Sequence, residues 1–338
     1  MRTLITGGAG YIGSLLTGEL LRRESLVTVL DTQFFGGESL LGYLAHPGFT
    51  FHKVDVADEG QDIARYMEGV DVLFHLAAIV GFPACQQVGE QVAWRFNVEA
   101  TRRVFETAEA AGVKRLIFAS TYSNYGISDG AAPVSEESPL RPQSLYAQTK
   151  IAAEEYLLDR GRQSRCAVVI PRFATLYGIS PRTRFDLIVN QFVLEALAKR
   201  KLVIYQGDYT RSFIHVRDVV DALVEMAEAP EGAVRNEIFN VAAVDGNYSK
   251  HEVVRLVCKH VSHVEVEYRD LSFGGDMRDV AVSCEKIGRV LGFRARRSLE
   301  QGVLEVREAI ESGLIKEPLS PRYRNHQFIL KNALLSSL

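Results

Sequence analysis

Tyr146 and Lys150 stand four residues apart in Tyr146-Ala-Gln-Thr-Lys150. Apolar residues recur at three- and four-residue spacing over residues 146–160, which predicts a helix with both side chains on one face and within reach of each other. A phenol is a poor base at its free pKa of about 10, and a neighbouring ammonium favours the phenolate. Thr121 follows the short apolar run 115–119, so its hydroxyl sits at a strand end, placed to hold an alcohol that Tyr146 deprotonates. The chemistry this trio suits is removal of a proton from a carbinol.

A second pattern, at the amino terminus, suits a hydride-carrying cofactor. Gly7, Gly10 and Gly13 stand in Leu4-Ile-Thr-Gly7-Gly-Ala-Gly10-Tyr-Ile-Gly13, closing a strand and opening a helix over residues 11–23. Glycine is needed where the chain turns tightly, where backbone approaches a pyrophosphate and where helix packs on strand. The phosphates are expected at that helix N-terminus, beside Tyr11 and Ile12, drawn by free N–H groups and the helix dipole. Asp31 follows the second strand run, 26–30, where a carboxylate can accept both hydroxyls of an adenosine ribose. No Arg or Lys lies in residues 32–37 to meet a 2′-phosphate, so NAD is expected in preference to NADP. Lys150 would also bond the nicotinamide ribose. Asp55, after the third strand, is expected near the adenine amino group, with Val56 beneath the ring.

The elements that must position these residues are legible as well. Strand-like runs at 2–6, 26–30, 50–54, 72–75, 115–119 and 167–170 alternate with helical periodicity at 11–23, 90–111 and 146–160. That alternation predicts an α/β fold, a Rossmann-type doubly wound parallel sheet, and the near-continuous Val, Ile, Leu and Phe of the runs predicts helices on both faces. The cofactor-binding unit is expected over residues 1–172. From Pro171 onward longer irregular stretches predict a smaller C-terminal substrate-binding region over 173–320, with 206–218 and 237–241 returning the chain to the sheet.

Composition bounds the partners. The chain has 338 residues, 47% hydrophobic and 24% charged, which excludes a disordered or fibrous protein. A net charge of −3 with dispersed Lys and Arg argues against nucleic-acid and membrane surfaces and for small molecules. Four cysteines lie far apart without a CxxC pair, so neither a disulfide framework nor a metal site is expected. No stretch approaches the roughly 18 apolar residues of a membrane span. A reducing, cytoplasmic setting is the expectation.

Seven stretches together resemble the extended short-chain dehydrogenase/reductases, in their nucleotide-sugar epimerase/dehydratase group: TGGAGYIG at the start, HLAA at 75–78, NVEAT at 97–101, FASTYSNYG at 118–126, YAQTK at 146–150, RFATLYG at 172–178 and RSFIHVRDV at 211–219. The resemblance implies Thr121, Tyr146 and Lys150 as catalytic residues and a nucleotide-diphosphate sugar as substrate. It implies that Leu76, Ala77 and Ala78 line the nicotinamide side, that the amide of Asn97 is structural, and that Arg211 and Arg278 hold the nucleotide diphosphate. Asn190, Tyr205 and Gln206 are further candidates for the nucleotide. Cys85 reads as a partly buried thiol, because no local cation would lower its pKa. Relatives pair the helices corresponding to 90–111 and 146–160, so a homodimer is expected.

Departures from the family pattern narrow the reaction. Thr175 stands where many relatives have Asn, altering one sugar or diphosphate contact. The loop SPRTRFD at 180–186 is unusually rich in arginine, with Arg182 and Arg184 set to read a carboxylate or phosphate or to face water. Tyr122 and Ser123 follow Thr121 where 4,6-dehydratases carry Asp-Glu, and decarboxylating relatives have Glu at the Ser123 position. Eliminating water needs an acid and a base, so dehydration by that route is not expected. The leading expectation is a nucleotide-sugar epimerase acting at C4 with tightly held NAD. A 4-keto-sugar reductase or sugar dehydrogenase is the alternative, and the intact Tyr-x-x-x-Lys disfavours a non-catalytic dinucleotide sensor.

Overall fold

The computed structural model describes residues 1–128, 132–269 and 279–332. The expected runs form β1 (Arg2–Thr6), β2 (Leu26–Asp31), β3 (Phe49–Lys53), β4 (Val72–His75), β5 (Arg115–Phe118) and, after the short β6 (Ser120–Thr121), β7 (Ala167–Phe173). Helix α1 (Gly13–Arg22) joins β1 to β2. Helices α2 (Phe82–Val88), α3 (Glu90–Trp94) and α4 (Ala100–Ala110) follow β4, and α5 (Leu145–Gly161) precedes β7. The chain continues through β8 (Thr175–Tyr177), α6 (Ile188–Lys199), β9 (Lys201–Tyr205), β10 (Thr210–His215), α7 (Val216–Glu228), α8 (Glu231–Val234) and β11 (Glu237–Val241). It ends with β12 (Asn247–Ser249), α9 (Lys250–His260), β13 (Glu265–Arg269), α10 (Glu285–Leu291), α11 (Leu299–Glu311) and α12 (Asn325–Asn332).

The large sheet has the order β11-β7-β5-β4-β1-β2-β3, with β6 also beside β7. All its pairs are parallel. Continuous apolar strands fit this geometry because alternate residues feed opposite layers. Ile5, Val29, Phe74 and Ile117 pack with Leu16 and Leu20 of α1 and Val219 and Leu223 of α7. Their neighbours Leu4, Leu30, Leu73 and Leu116 pack with Val104 and Phe105 of α4 and Ala153 and Leu157 of α5. Strand order reverses between β1 and β4, and the crevice beyond the strand ends at such a reversal is where α/β folds bind ligands.

Two expectations about elements are corrected. Residues 237–241 do return to the large sheet as β11, but β10, within 206–218, does not: its neighbours are β8 and β12 in a separate three-stranded sheet. Helical period over 90–111 does not give one regular helix either, because a π turn at Arg95–Glu99 separates α3 from α4. The wider turn accompanies Asn97, whose buried amide accepts from Ile79 N (2.8 Å) and donates to Ile79 O (3.0 Å) and Thr149 Oγ1 (3.1 Å). A third apolar cluster, around Phe185, Val193, Val253 and Val303, joins α6, α9 and α11. Among the described residues no helix is long and apolar enough to cross a membrane.

Candidate active site

The glycine turn is built for close approach. Gly7 takes a φ of +75°, and a Cβ there would lie 2.7 Å from Ala77 N, so only glycine lets the end of β1 meet the loop after β4. A Cβ at Gly13 would collide with the Gly7 carbonyl. At the end of β2, Asp31 accepts from Ala9 N (3.0 Å) and Gln33 N (2.7 Å), which ties the glycine turn to the carboxyl end of β2. Burial raises the Asp31 pKa, and those two N–H bonds and the charge of Arg182 oppose the rise.

One cleft of about 1090 Å³ runs along the sheet's carboxyl edge, slightly above the usual range for ligand pockets. It is lined by Gly7, Gly10, Tyr11, Ile12, Gly13 and Asp31. Asp55, Val56, Leu76, Ala77 and Ala78 line it too, as do Thr121, Tyr146, Lys150 and Thr175. Asp55, on the cleft wall, also caps a local turn by accepting from Ala57 N (2.8 Å).

Tyr146 and Lys150 sit on the first turns of α5, whose N-terminus is capped by the Ser144 hydroxyl. The Lys150 ammonium donates to Ala119 O (2.8 Å) and lies 4.4 Å from the centre of the Phe118 ring. Burial lowers its pKa to about 8, against the opposing influence of Cys85 and Glu154. Thr121 accepts from Ser123 N (3.1 Å) and donates to Ser123 Oγ (2.9 Å), so its side chain starts the turn Tyr122–Tyr125. Beneath this turn lies a buried network: Glu154 pairs with Arg172 (2.6 Å) and accepts from Ser120 and Asn124. Arg172 also donates to Tyr125 OH (2.9 Å), which donates to Asn240 (2.7 Å).

Two groups near the site are chemically quiet. Cys85 is fully buried, its thiol donates to Ile79 O (3.2 Å), and burial pushes its pKa up to about 12. His75 is held between the hydroxyls of Thr6 (2.7 Å) and Thr101 (3.0 Å), and burial, then the Lys150 charge, lowers its pKa to about 3.

Residues 3–242 match the model of the NAD dependent epimerase/dehydratase family. The chain belongs to that family. It is 32% identical over 311 residues to the protein of Bacillus subtilis (strain 168) named uncharacterized UDP-glucose epimerase YtcB, covering 90% of this chain and 96% of that one. It is 29% identical over 330 residues to the UDP-glucose 4-epimerase of the same organism, with 89% and 94% covered. Among solved structures it resembles the dTDP-glucose 4,6-dehydratase DesIV of Streptomyces venezuelae, solved with NAD and TYD bound, at a TM-score of 0.83 and 28% identity, with 95% and 100% covered. This member of the epimerase/dehydratase family is an enzyme, and its cofactor is NAD. The cleft fits that cofactor: a close-packed glycine turn faces a carboxylate at the end of β2, and the buried Nη2 of Arg182 on the cleft wall has no hydrogen-bond partner among the described residues.

Toward the substrate the epimerase/dehydratase departs from the sequence expectation. Asn190 does not line the cleft: it is fully buried, accepts from Gly178 N (2.9 Å), and donates to Gly178 O and Arg184 O (both 2.9 Å). All three bonds go to loop backbone, so its work is to shape the loop that carries Arg182 and Arg184. Tyr205 is exposed at the end of β9 and Gln206 follows it, both away from the cleft lining. Arg211 is buried on β10 opposite Tyr248, outside the cleft lining. Arg278 lies outside the described residues, but Asp279 beside it accepts from Thr210 N (2.8 Å), next to Arg211. Thr175 meets Tyr122 OH at 2.6 Å.

Several lining residues had no local signal. Phe34 and Phe35 after β2, and Asn325 and Ile329 of α12, all reach the cleft. Arg184 lines it as well, held by two bonds to Asp186 (2.9 and 3.1 Å).

Proposed function

We propose that this enzyme is a nucleotide-sugar epimerase acting at C4. The observation that carries the reading is the distribution of acids in the cleft. Among the described lining residues the carboxylates are Asp31, Asp55 and Asp58, all at the ends of β2 and β3 and so at the adenosine end. Beside Thr121 stand Tyr122, whose hydroxyl meets Thr175, and Ser123, which bonds Thr121. Elimination of water calls for an acid and a base beyond the phenol, whereas inversion of a carbinol needs one group that takes a proton and returns it.

NAD, when bound, supplies a reversible acceptor for the hydride of the carbinol carbon. Tyr146 takes the C4 hydroxyl proton as a phenolate. Lys150, fixed to Ala119 O one turn further along α5, stabilises that phenolate. Thr121 orients the hydroxyl. After the keto sugar turns over in the cleft, its C4 presents the other face for return of the hydride, and Tyr146 gives the proton back to the C4 oxygen. A cofactor recycled in every turnover benefits from enclosure, and the epimerase reading is favoured over net oxidation by α12, which packs on α2 and sends Asn325 and Ile329 to the cleft wall.

The test is incubation of the purified enzyme with UDP-, dTDP- and GDP-sugars, with NMR of the products and absorbance of reduced cofactor followed together. The expected result is a C4 epimer that keeps its C4 hydrogen in D₂O, without accumulation of NADH. NADH formed in proportion to product would replace this reading with a dehydrogenase.

A further inference from the structure

The loop 180–186 is anchored on the glycine turn. Ser180 Oγ donates to Tyr11 O (2.7 Å) and lies 3.1 Å from Ser14 Oγ, in the first turn of α1, while Tyr11 OH donates to Gly178 O (2.7 Å). Two residues on, the Arg182 guanidinium lies 4.5 Å from the centre of the Phe35 ring. Phe35 in turn packs against Phe34 (4.9 Å) and against Phe328 of α12 (5.3 Å). A cation is therefore held over the Phe35 ring on the wall of the cofactor cleft, two residues from the loop's anchor on Tyr11 and Ser14.

Among the described residues no carboxylate is paired with that cation. Arg182 Nη2 is buried without a hydrogen-bond partner among the described residues. The two carboxylates whose charge it feels are already engaged: Asp31 by Ala9 N and Gln33 N, Asp186 by Arg184 and by Asn325 N (2.9 Å). Burial, and then the charge of Arg184, lowers the Arg182 pKa to about 10, the mark of a guanidinium whose charge is not compensated within the protein. Leaving a buried charged donor unmatched is costly, and a phosphate is the ligand that a planar guanidinium matches with paired hydrogen bonds.

We propose that Arg182 is a cofactor-binding residue that grips the diphosphate of the dinucleotide, held in place by Phe35 and by the support of α12 through Phe328. The glycine turn would then hold the diphosphate from one side with backbone N–H groups, and Arg182 would add the charge that this turn lacks. Only the dinucleotide cleft is needed for this role, so it stands or falls separately from the choice of sugar and of C4.

The test measures dissociation constants of NAD-stripped protein for NAD, ADP-ribose, NADP and adenosine, in wild type, Arg182→Ala, Arg182→Gln, Arg182→Lys and Phe328→Ala. Thermal unfolding without ligand checks each variant, and Arg182→Gln, which keeps a polar side chain longer than alanine's, carries the test if the alanine variant does not fold. Loss of paired charged hydrogen bonds should weaken NAD and ADP-ribose alike by roughly 10- to 100-fold in Arg182→Ala, with adenosine unchanged and Arg182→Lys intermediate. Phe328→Ala should show the same ligand pattern with a smaller loss. Unchanged NAD affinity, an equal loss for adenosine, or a loss confined to NADP, which would mark a 2′-phosphate contact, would each overturn the proposal.

Discussion

The Lys150 ammonium donates to the carbonyl of Ala119 at 2.8 Å, so the last residue before β6 and the second turn of α5 are fixed to one another. Thr121 and Tyr146 ride on those two elements. The bond therefore sets the relation between the hydroxyl that would orient a substrate and the phenol that would deprotonate it.

Replacing Tyr146 by Phe removes the proton-transfer group and little else. Turnover should fall by about 10²- to 10⁴-fold, the range for a positioned acid or base, while NAD affinity stays within a few-fold. Steady-state kinetics beside a cofactor titration decide it, and near-normal kcat would mean that another base operates.

Lys150 carries a pH signature. Its pKa is lowered in the folded protein to about 8 from 10.5, so between those values the unfolded chain binds more protons and stability rises with pH. The gain should approach about 3 kcal/mol across that window relative to Lys150→Met, which lacks the titrating group. Urea unfolding of NAD-free protein at pH 7, 8, 9 and 10 reads the difference between the two, and a flat difference would show that the ammonium is not desolvated.

Glu154 and Arg172 form a bidentate pair that is almost wholly buried. Glu154→Gln leaves the guanidinium uncompensated under the turn that carries Thr121, and should cost about 3–5 kcal/mol of unfolding free energy. A double variant, Glu154→Leu with Arg172→Met, should recover part of that loss. If the single variant unfolds at the wild-type denaturant midpoint, the network contributes nothing to stability.

Asp31 should set the cofactor preference. If its carboxylate bonds a ribose hydroxyl and repels a 2′-phosphate, NAD should bind more tightly than NADP, and Asp31→Asn should narrow the gap by about tenfold, the scale of one charge-assisted hydrogen bond. Titration with both cofactors checks it. Wild-type affinity equal for the two would place the discriminating charge elsewhere.

Arg211, buried on β10 outside the cleft lining, tests whether a substrate diphosphate is held there. If it clamps a diphosphate, Arg211→Ala should raise KM for the nucleotide sugar and cost about 2–4 kcal/mol in kcat/KM, without changing NAD affinity. Equal use of the free sugar by the wild-type enzyme, with no effect of the substitution, would count against a nucleotide sugar altogether.

The sequence by itself determined whatever depends on spacing along one element. The glycine turn, Asp31 at the end of β2 and the Tyr146/Lys150 register are local: rise per residue and helical period place them whatever the rest of the chain does. Alternating apolar runs likewise specified parallel strands covered on both faces. What could not be read locally is where a polar side chain finds its partner. Asn190, a candidate for the nucleotide, is consumed by the backbone of Gly178 and Arg184, because a buried amide must satisfy its own donors and acceptor. Arg182, in a loop that could equally face water, is carried to the cofactor cleft by Ser180 and Tyr11 and clasped by Phe35 and Phe328. Those contacts join segments distant in sequence, and only the tertiary fold could decide them, since packing and desolvation act between neighbours in space and leave no periodic trace along the chain.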